Sequence, residues 1–219
     1  MACRVVVFLS LLTLLGCRSG SSGPAAQEVL VPVDTDSTII FNGISLDGWE
    51  VTNFGPQGPV SVSGGEIVLG MGDGCTGITY TRDIPYTDYE ITLEARRKEG
   101  NDFFCGLTFP VGNDFCTFIA GGWGGTTVGL SCIDGKDAAE NETSSLHNFD
   151  KNRWYGIRLL VTGTRIEVWI DEEKVVDMET KGRRISIRPE VNLSKPLGIA
   201  SWNTTAGVRK IRLVNRSEE

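Results

Sequence analysis

Apolar and polar residues alternate with a period of two along most of the chain, and this pattern constrains the fold more than any other feature of the sequence. It is clearest in residues 89–98, YEITLEARRK. The apolar residues that share one face are Tyr89, Ile91, Leu93 and Ala95, and the polar residues that share the other are Glu90, Thr92, Glu94 and Arg96. A period of two is typical of a strand with one face in a core and one in solvent. The pattern predicts strands, and no window shows the 3.6-residue period of a helix.

Short segments of the same kind predict most of the remaining strands. They are residues 66–70, 77–84, 103–111, 115–121, 126–133, 154–163, 196–202 and 208–215. Residues 165–178 predict a hairpin that turns at DEEK (171–174) and forms a meander with the strand before it. The polar segment 137–146 predicts a loop or a single helical turn. About ten short strands joined by polar turns indicate an all-β fold, a two-sheet antiparallel β-sandwich.

The run FIAGGWGGTTVGL places Trp123 between two pairs of glycines, in the connection between two predicted strands. A phosphate-binding P-loop requires a lysine and a following helix, and the sequence predicts neither. A hairpin alone needs one or two glycines and no tryptophan at its tip. We therefore predict that the glycines bare the Trp123 ring for a flat ligand such as a sugar. The alternative is that Trp123 folds back over an open end of the sandwich.

The first residues predict an export signal. Arg4 precedes an apolar stretch that is too short to span a bilayer, and Leu14-Leu15-Gly16-Cys17 has the form of a bacterial lipobox. We expect residues 1–16 to be a signal peptide, Cys17 to be lipidated, residues 17–37 to form a tether and residues 38–216 to form one domain. The expected location is the cell envelope, at the outer membrane or a periplasmic face. An ordinary secretory signal with an incidental cysteine is the alternative.

Charge and cysteine spacing exclude several kinds of partner. The net charge of −7 argues against nucleic acid or anionic lipid as the main partner, so we expect membrane contact through the lipid anchor only. The cysteines of the predicted domain form no C-x-x-C pair, which argues against a zinc site; no metal ligand is predicted, and the three possible disulfide pairings stay open. They are Cys75, Cys105, Cys116 and Cys132. No cofactor is expected, and a Ca²⁺ loop at 134–137 is a disfavoured alternative because the EF-hand spacing is not met.

Three segments in order resemble the 3-keto-disaccharide hydrolase family, long catalogued as a domain of unknown function and common in planctomycetes and Bacteroidetes. They are IIFNGISLDGWEV (39–51), NRWYGIRLLVTGTRIEVWIDEEKVVD (152–177) and PLGIASWNTTAGVRKIRLVN (196–215). The resemblance implies a concanavalin A-like jelly roll in which one sheet is concave and bears the ligand. It also implies cleavage of glycosidic bonds in sugars oxidised at C3, here by a planctomycete-type lipoprotein member.

The resemblance also directs the choice of site residues. Glu94 aligns with the glutamate of the family's "LEW" segment and, with Arg96, is our candidate for catalysis. The candidates for substrate binding are Trp123, Trp202, Asn203 and Asp134. The chain departs from the family at 201–203, where Ser-Trp-Asn replaces a Gln-Asp-His-type cluster, and its only histidine is His147. A non-catalytic carbohydrate-binding module, lectin-like or laminin-G-like, is therefore the alternative function.

The other tryptophans lie in strand patterns and are predicted to pack in the core. They are Trp49, Trp154 and Trp169.

Overall fold

The structure is a computed structural model that describes residues 37–216. The predicted signal peptide, Cys17 and nearly all of the predicted tether lie outside these residues. The strands are β1 (Ser37–Ile39), β2 (Trp49–Val51), β3 (Val60–Ser63), β4 (Glu66–Leu69), β5 (Cys75–Tyr80), β6 (Tyr89–Gly100), β7 (Cys105–Val111), β8 (Asp114–Gly122), β9 (Thr127–Ser131), β10 (Ser145–Leu146), β11 (Tyr155–Val161), β12 (Arg165–Ile170), β13 (Glu173–Glu179), β14 (Gly198–Trp202) and β15 (Thr204–Asn215). The helical segment of the described chain is one 3₁₀ helix, Pro189–Ser194.

The strands form two antiparallel sheets, which confirms the predicted all-β sandwich. The eight-stranded sheet has the order β13-β12-β11-β6-β15-β4-β3, and β1 pairs with the far half of β15. The seven-stranded sheet has the order β10-β9-β8-β7-β14-β5-β2. The predicted meander is β11-β12-β13, and the chain turns at residues 171–172. Neighbouring strands can be distant in sequence, as β14 is from β5 and β7 on either side of it. The strand order of the second sheet is therefore set by long-range pairing and not by local sequence patterns.

One apolar core fills the space between the sheets. Tyr89, Ile91, Leu93 and Ala95 of β6 are buried, as the alternation predicts. The seven-stranded sheet contributes alternate residues of each strand, for example Phe118 and Leu130. A fully buried Leu or Phe side chain contributes about 1.5–3 kcal/mol relative to exposure, so this shared core is the main stabilising feature.

Two of the three tryptophans predicted to be core lie elsewhere. Trp49 is buried, and its indole N–H donates to the carbonyl of Ile40 at 2.6 Å. Trp154 and Trp169 are partly exposed on the outer face of the eight-stranded sheet, so their predicted core position is wrong. Arg96 and Arg209 lie over the Trp154 ring, 4.4 and 4.0 Å from its centroid. Cation–π contacts of this kind let a large ring cover a polar face, which hydrophobicity alone does not predict.

The 3₁₀ helix Pro189–Ser194 crosses the solvent-facing side of the seven-stranded sheet. Thr79, which points away from the core, donates its hydroxyl to the carbonyl of Leu193 at 3.0 Å. At Gly198 a side chain would collide with Ser194, because an added Cβ would lie 2.5 Å from the Ser194 carbonyl oxygen. The absence of a side chain at Gly198 therefore allows the helix to lie directly on the sheet, and this contact shapes the site described next.

Candidate functional site

A pocket of about 180 Å³ opens on the solvent-facing side of the seven-stranded sheet, beside the 3₁₀ helix. Its floor consists of alternate residues that point away from the core, while their neighbours Phe118 and Leu130 point into it. The floor residues are Cys75, Thr117, Ile119 and Ser131. Loops at one end of the sheet and the 3₁₀ helix supply the two walls. The pocket is thus built from strands, loops and a helix that are far apart in sequence.

One wall is aromatic. Trp123, Trp202 and Phe103 line it, and the Phe103 and Trp202 rings lie 6.5 Å apart with 34° between their planes. The backbone N–H of Trp202 donates to the Phe103 carbonyl at 3.0 Å, which joins the two segments. Trp123 remains 44% exposed and therefore presents ring surface to a ligand. Both tryptophans proposed from the sequence for substrate binding are therefore brought together at this pocket.

The GGWGG segment forms the turn of the hairpin between β8 and β9, as predicted. The N–H of Gly125 donates to the carbonyl of Gly122 at 3.1 Å. The two central residues have positive φ, 47° for Trp123 and 91° for Gly124, which is the pattern of a type I′ turn. A bulky residue in this region is a rare and strained conformation, and such strain concentrates at functional sites.

The opposite wall is charged and comes from the start of the 3₁₀ helix. The Arg188 guanidinium donates to Glu190 at 2.9 Å and to Asp137 at 3.0 Å. The hydrogen bond from Arg188 holds the pKa of Glu190 below its ordinary value. Glu190 is therefore a carboxylate at neutral pH, and the pocket contains a fixed cation beside a fixed anion.

Asp102 is a second carboxylate of the pocket, at the aromatic end. Its Oδ1 accepts the N–H of Phe103 at 2.7 Å, and its own N–H donates to the Thr204 hydroxyl at 3.1 Å. These bonds fix the loop before β7, so the carboxylate has a defined direction.

The floor carries no charge at neutral pH. Burial, with a smaller contribution from the Glu190 carboxylate, raises the pKa of the Cys75 thiol to about 12. A neutral thiol is a poor nucleophile, which argues against covalent catalysis by Cys75. Thr117 shares a hydrogen bond of 3.0 Å with Thr108, so this hydroxyl is already satisfied within the sheet.

The two catalytic candidates from the sequence lie on the other sheet. Glu94 binds Arg209 at 2.6 Å and Lys210 at 2.8 Å, and Arg96 binds Glu66 at 2.7 Å. Burial raises the pKa of Glu94, but hydrogen bonds from Lys210 and Arg209 outweigh it and lower the pKa overall. The structure does not bring Glu94 and Arg96 together with the pocket, and their catalytic role stays a sequence-based prediction.

The other predicted residues do not line the pocket. Asn203 follows Trp202 with a φ of 43°, and its Oδ1 accepts the N–H of Gly74 at 2.8 Å, so it fixes the backbone next to Trp202. Asp134 is bound by the Arg183 side chain at 2.7 Å and by the N–H of Arg184 at 2.9 Å, away from the pocket lining. His147 stacks on Phe149 with ring centroids 4.7 Å apart.

The predictions about metal ions and disulfides can be compared with the structure for residues 37–216 only. Residues 37–216 contain no cluster of three or more His, Cys, Asp or Glu side chains suited to a metal ion. The four cysteines of this part are free thiols. Cys105 lies opposite Ala120 and Cys116 opposite Phe109, so Cys105 and Cys116 are not direct cross-strand partners on β7 and β8. Within 37–216, no helix is long and apolar enough to cross a membrane.

Sequence reasoning missed Asp102, Arg188 and Glu190 as site residues. We interpret Asp102 from the sequence as a turn residue at the head of a strand. Arg188 and Glu190 lie in residues 183–195, where apolar and polar residues alternate as in a strand although the structure forms a 3₁₀ helix there. The one local signal is Arg-Pro-Glu at 188–190, because proline favours the first turn of a helix and places its neighbours at a helix start.

Fold and site together define a jelly-roll-type β-sandwich with a pocket of about 180 Å³ on one sheet. Residues 36–214 match the family described as 3-keto-alpha-glucoside-1,2-lyase-like domain, and the chain belongs to this family. A comparison with curated proteins found no match.

Solved structures with the same architecture are distant in sequence. The carbohydrate binding module CBM66 from Bacillus subtilis is 18% identical with a TM-score of 0.51, covering 77% of this chain and 96% of its own. A putative glycosyl hydrolase from Parabacteroides distasonis is 15% identical with a TM-score of 0.54, covering 82% and 94%. SCLam, a non-specific endo-beta-1,3(4)-glucanase from family GH16, is 11% identical with a TM-score of 0.53, covering 83% and 92%. These likenesses establish the fold.

Proposed function

We propose that this domain binds one sugar ring of a 3-keto-glycoside in the pocket and cleaves its glycosidic bond. The observation that carries the proposal is the combination of an exposed Trp123 face, the Arg188–Glu190 pair and Asp102 around one pocket. Aromatic walls with a few fixed polar groups are typical of sites for small ligands. The family to which the chain belongs supports the same class of substrate.

The shape of the pocket supports a short substrate. A volume of about 180 Å³ suits one hexose ring and not a run of sugar units. The 3₁₀ helix lies across the sheet through Thr79 and Gly198, and it closes the face along which a longer chain would lie. The remainder of the glycoside then extends toward solvent past the exposed Trp123.

The chemistry follows from the ketone. A carbonyl at C3 acidifies the C2 proton, so a base removes that proton, a C1–C2 double bond forms and the C1–O bond breaks. The leaving oxygen takes up a proton, and water adds later to complete hydrolysis. Glu190, which is ionised, is our candidate for the base, and the neighbouring Arg188 cation stabilises negative charge on the ketone oxygen. The leaving oxygen takes its proton from a water molecule that Asp102 orients, and the proton that Glu190 took from C2 passes to the hydroxide left behind.

Incubation of the purified protein with methyl 3-keto-α-glucopyranoside tests this proposal. We expect release of methanol and an unsaturated or hydrated ketosugar, followed by NMR. Glu190→Gln and Asp102→Asn should each lower the rate by about 100-fold or more, the range for a lost general acid or base. The matched control is Asp177→Asn, an ion-paired carboxylate on β13 of the other sheet. Unchanged rates in both pocket variants would contradict the roles assigned to Glu190 and Asp102. The rate of Glu94→Gln shows whether the catalytic candidate from the sequence contributes to cleavage.

Sugar binding without cleavage is the second candidate, and one observation favours it. Arg188 is bound by Asp137 and Glu190 at once, so both pocket charges already have partners in the folded protein. The likeness to a carbohydrate binding module supports the same function at the level of fold. Saturable binding of the same methyl glycoside by calorimetry, with no product after prolonged incubation, would favour this candidate over the enzyme.

We also propose that the domain is held at the cell envelope by a lipid on Cys17. The apolar stretch after Arg4 and the sequence Leu14-Leu15-Gly16-Cys17 support this location. A carbohydrate-active domain on a lipid anchor would meet sugars that enter the envelope. The experiment for this proposal is given at the end of the Discussion.

A further inference from the structure

Arg97 is a buried cation next to the Trp123 turn. Arg97 is 6% exposed, and its side chain points to the core side of β6, whereas the side chains of Arg96 and Lys98 point outward. Its guanidinium carbon lies 5.3 Å from the centroid of the Phe104 ring and 5.9 Å from that of Phe149. Among residues 37–216 no carboxylate lies within ion-pair distance of it. A buried charge without such a partner costs several kcal/mol unless other groups compensate for lost water.

Backbone carbonyls of the turn supply that compensation. Nη2 of Arg97 donates to the carbonyl of Gly125 at 2.8 Å and to that of Gly121 at 3.3 Å. These two carbonyls flank Trp123 on either side in the sequence. The Nε atom is buried and has no hydrogen-bond partner among the described residues, so the hydrogen bonds of the guanidinium go to the turn, and ring faces and the longer-range attraction of the Asp102 carboxylate add to them.

Two of the four glycines make room for this guanidinium. A Cβ at Gly121 would lie 2.4 Å from Nη2 of Arg97, and one at Gly125 would lie 3.2 Å from Nη1. Gly125 also lies against the carbonyl of Asn101, 2.9 Å from its added Cβ. One glycine of each pair, Gly121 and Gly125, is therefore explained by the close approach of a buried arginine.

From these contacts we infer that Arg97 is a positioning residue that fixes the turn and thereby holds Trp123 at the rim of the pocket. A tryptophan at a φ of 47° persists only where its surroundings determine the backbone, and two hydrogen bonds from one rigid guanidinium do so. The effect of Arg97 on sugar binding rests on the proposed function, whereas its effect on the conformation of the turn does not.

The experiment compares Arg97→Met with the unaltered protein, using the full chain. The indole N–H signal of Trp123, assigned by its loss in Trp123→Phe, and the amide hydrogen exchange of residues 121–125 report on the turn. We expect a shifted or broadened indole signal in Arg97→Met. Amide exchange should be faster by about tenfold or more, because the turn can open without breaking the two hydrogen bonds from Arg97. The matched control is Arg158→Met, which removes an arginine 3.6 Å over the Trp169 ring on the outer face of the same sheet, away from the turn, and should leave the turn unchanged.

Circular dichroism verifies that each variant is folded at the temperature used. If Arg97→Met does not fold, the same measurements on Arg97→Lys decide, because a lysine keeps the charge but lacks the rigid fork. An unchanged indole signal and unchanged exchange in the folded variant would overturn the inference.

Binding of methyl 3-keto-α-glucopyranoside is measured separately on the same proteins. We expect the affinity of Arg97→Met to fall about tenfold, within the range for a lost stacking contact. Equal affinity together with a disordered turn would overturn the role of Arg97 in positioning Trp123 for the sugar. Absence of binding by the unaltered protein would instead reject the proposed function, while the turn measurements would still decide the inference.

Discussion

At the scale of single residues, Trp123 combines features that stability alone does not favour. It is 44% exposed, and it occupies a positive-φ position of a turn that prefers Asn-Gly. A ring that covered an open end of the sandwich would be buried, which was the alternative drawn from the sequence. The exposure and the strain both favour a ligand-contacting ring.

The substitution Trp123→Asn tests this interpretation. We expect sugar affinity to fall by about 1–3 kcal/mol, by analogy with base–aromatic stacking. The free energy of unfolding should change by less than about 1 kcal/mol, because Asn-Gly suits a type I′ turn and offsets the lost ring contacts. Calorimetric binding and thermal unfolding measure the two effects, with Trp169→Leu on the other sheet as the control. A strongly lowered melting temperature with unaltered affinity would show that Trp123 is a structural cover.

At the scale of elements, the outer face of the eight-stranded sheet is a network of ion pairs. Glu66 of β4 is 6% exposed and binds Arg96 and Lys98 of β6, each at 2.7 Å. Burial raises the pKa of Glu66, but hydrogen bonds from Arg96 and Lys98 outweigh it and hold the pKa below the ordinary 4.5. Because the folded-state pKa is lowered, this stabilisation is present above pH 4.5 and is lost as the pH falls through the lowered pKa.

We therefore predict that Glu66→Gln is less stable than the unaltered protein at pH 7, by about 1–3 kcal/mol for hydrogen bonds to a charged group. The difference should shrink as the pH falls below 4.5, because Glu66 becomes protonated in the unaltered protein. Urea unfolding between pH 7 and pH 3 measures it. The control is Glu172→Gln in an exposed turn. A difference that does not change with pH would contradict the role of the ionised carboxylate.

The contact between β14 and the 3₁₀ helix gives a second prediction at this scale. In Gly198→Ala the new Cβ would lie 2.5 Å from the Ser194 carbonyl oxygen, so the helix must move. We expect a loss of about 1–3 kcal/mol of stability, as for an overpacked core, and weaker sugar binding because Glu190 moves with the helix. Gly156→Ala on β11 is the control, since its nearest atom is 3.6 Å away. Normal stability and affinity in Gly198→Ala would show that the helix adapts freely.

The sequence predicts individual strands better than it predicts which strands and loops come together in space. Alternation places Ile91 and Leu93 inside and Glu94 outside, because the faces of a strand are set locally. It does not tell which outer face receives a ligand, so Glu94 was a reasonable candidate from the sequence although it lies on the sheet without the pocket. Glu190 and Trp123 line the same pocket because the 3₁₀ helix packs on β14 and the β8–β9 turn lies at the end of the same sheet. No local sequence pattern encodes such long-range contacts.

At the scale of the whole molecule, the two sheets have different roles in the described chain. The outer face of the eight-stranded sheet is occupied by paired charges and by cation-covered tryptophans such as Trp154. The seven-stranded sheet carries small floor residues and the pocket. The paired face has little free charge with which to attract a membrane, and the net charge of −7 has the wrong sign for anionic lipid. Membrane association would therefore depend on the lipid that we propose at Cys17.

The substitution Cys17→Ser tests this anchor. The cysteine of a lipobox carries the acyl chains, and serine offers no thiol for them, so we expect the variant to lose both fatty-acid labelling and its place in the membrane fraction. Metabolic labelling with an alkynyl fatty acid and cell fractionation measure the two effects. Cys3→Ser is the matched control, because it removes the cysteine of the predicted signal peptide without altering the lipobox. If Cys17→Ser fractionates with membranes and is labelled as the unaltered protein is, the predicted signal is an ordinary one and the cysteine is incidental.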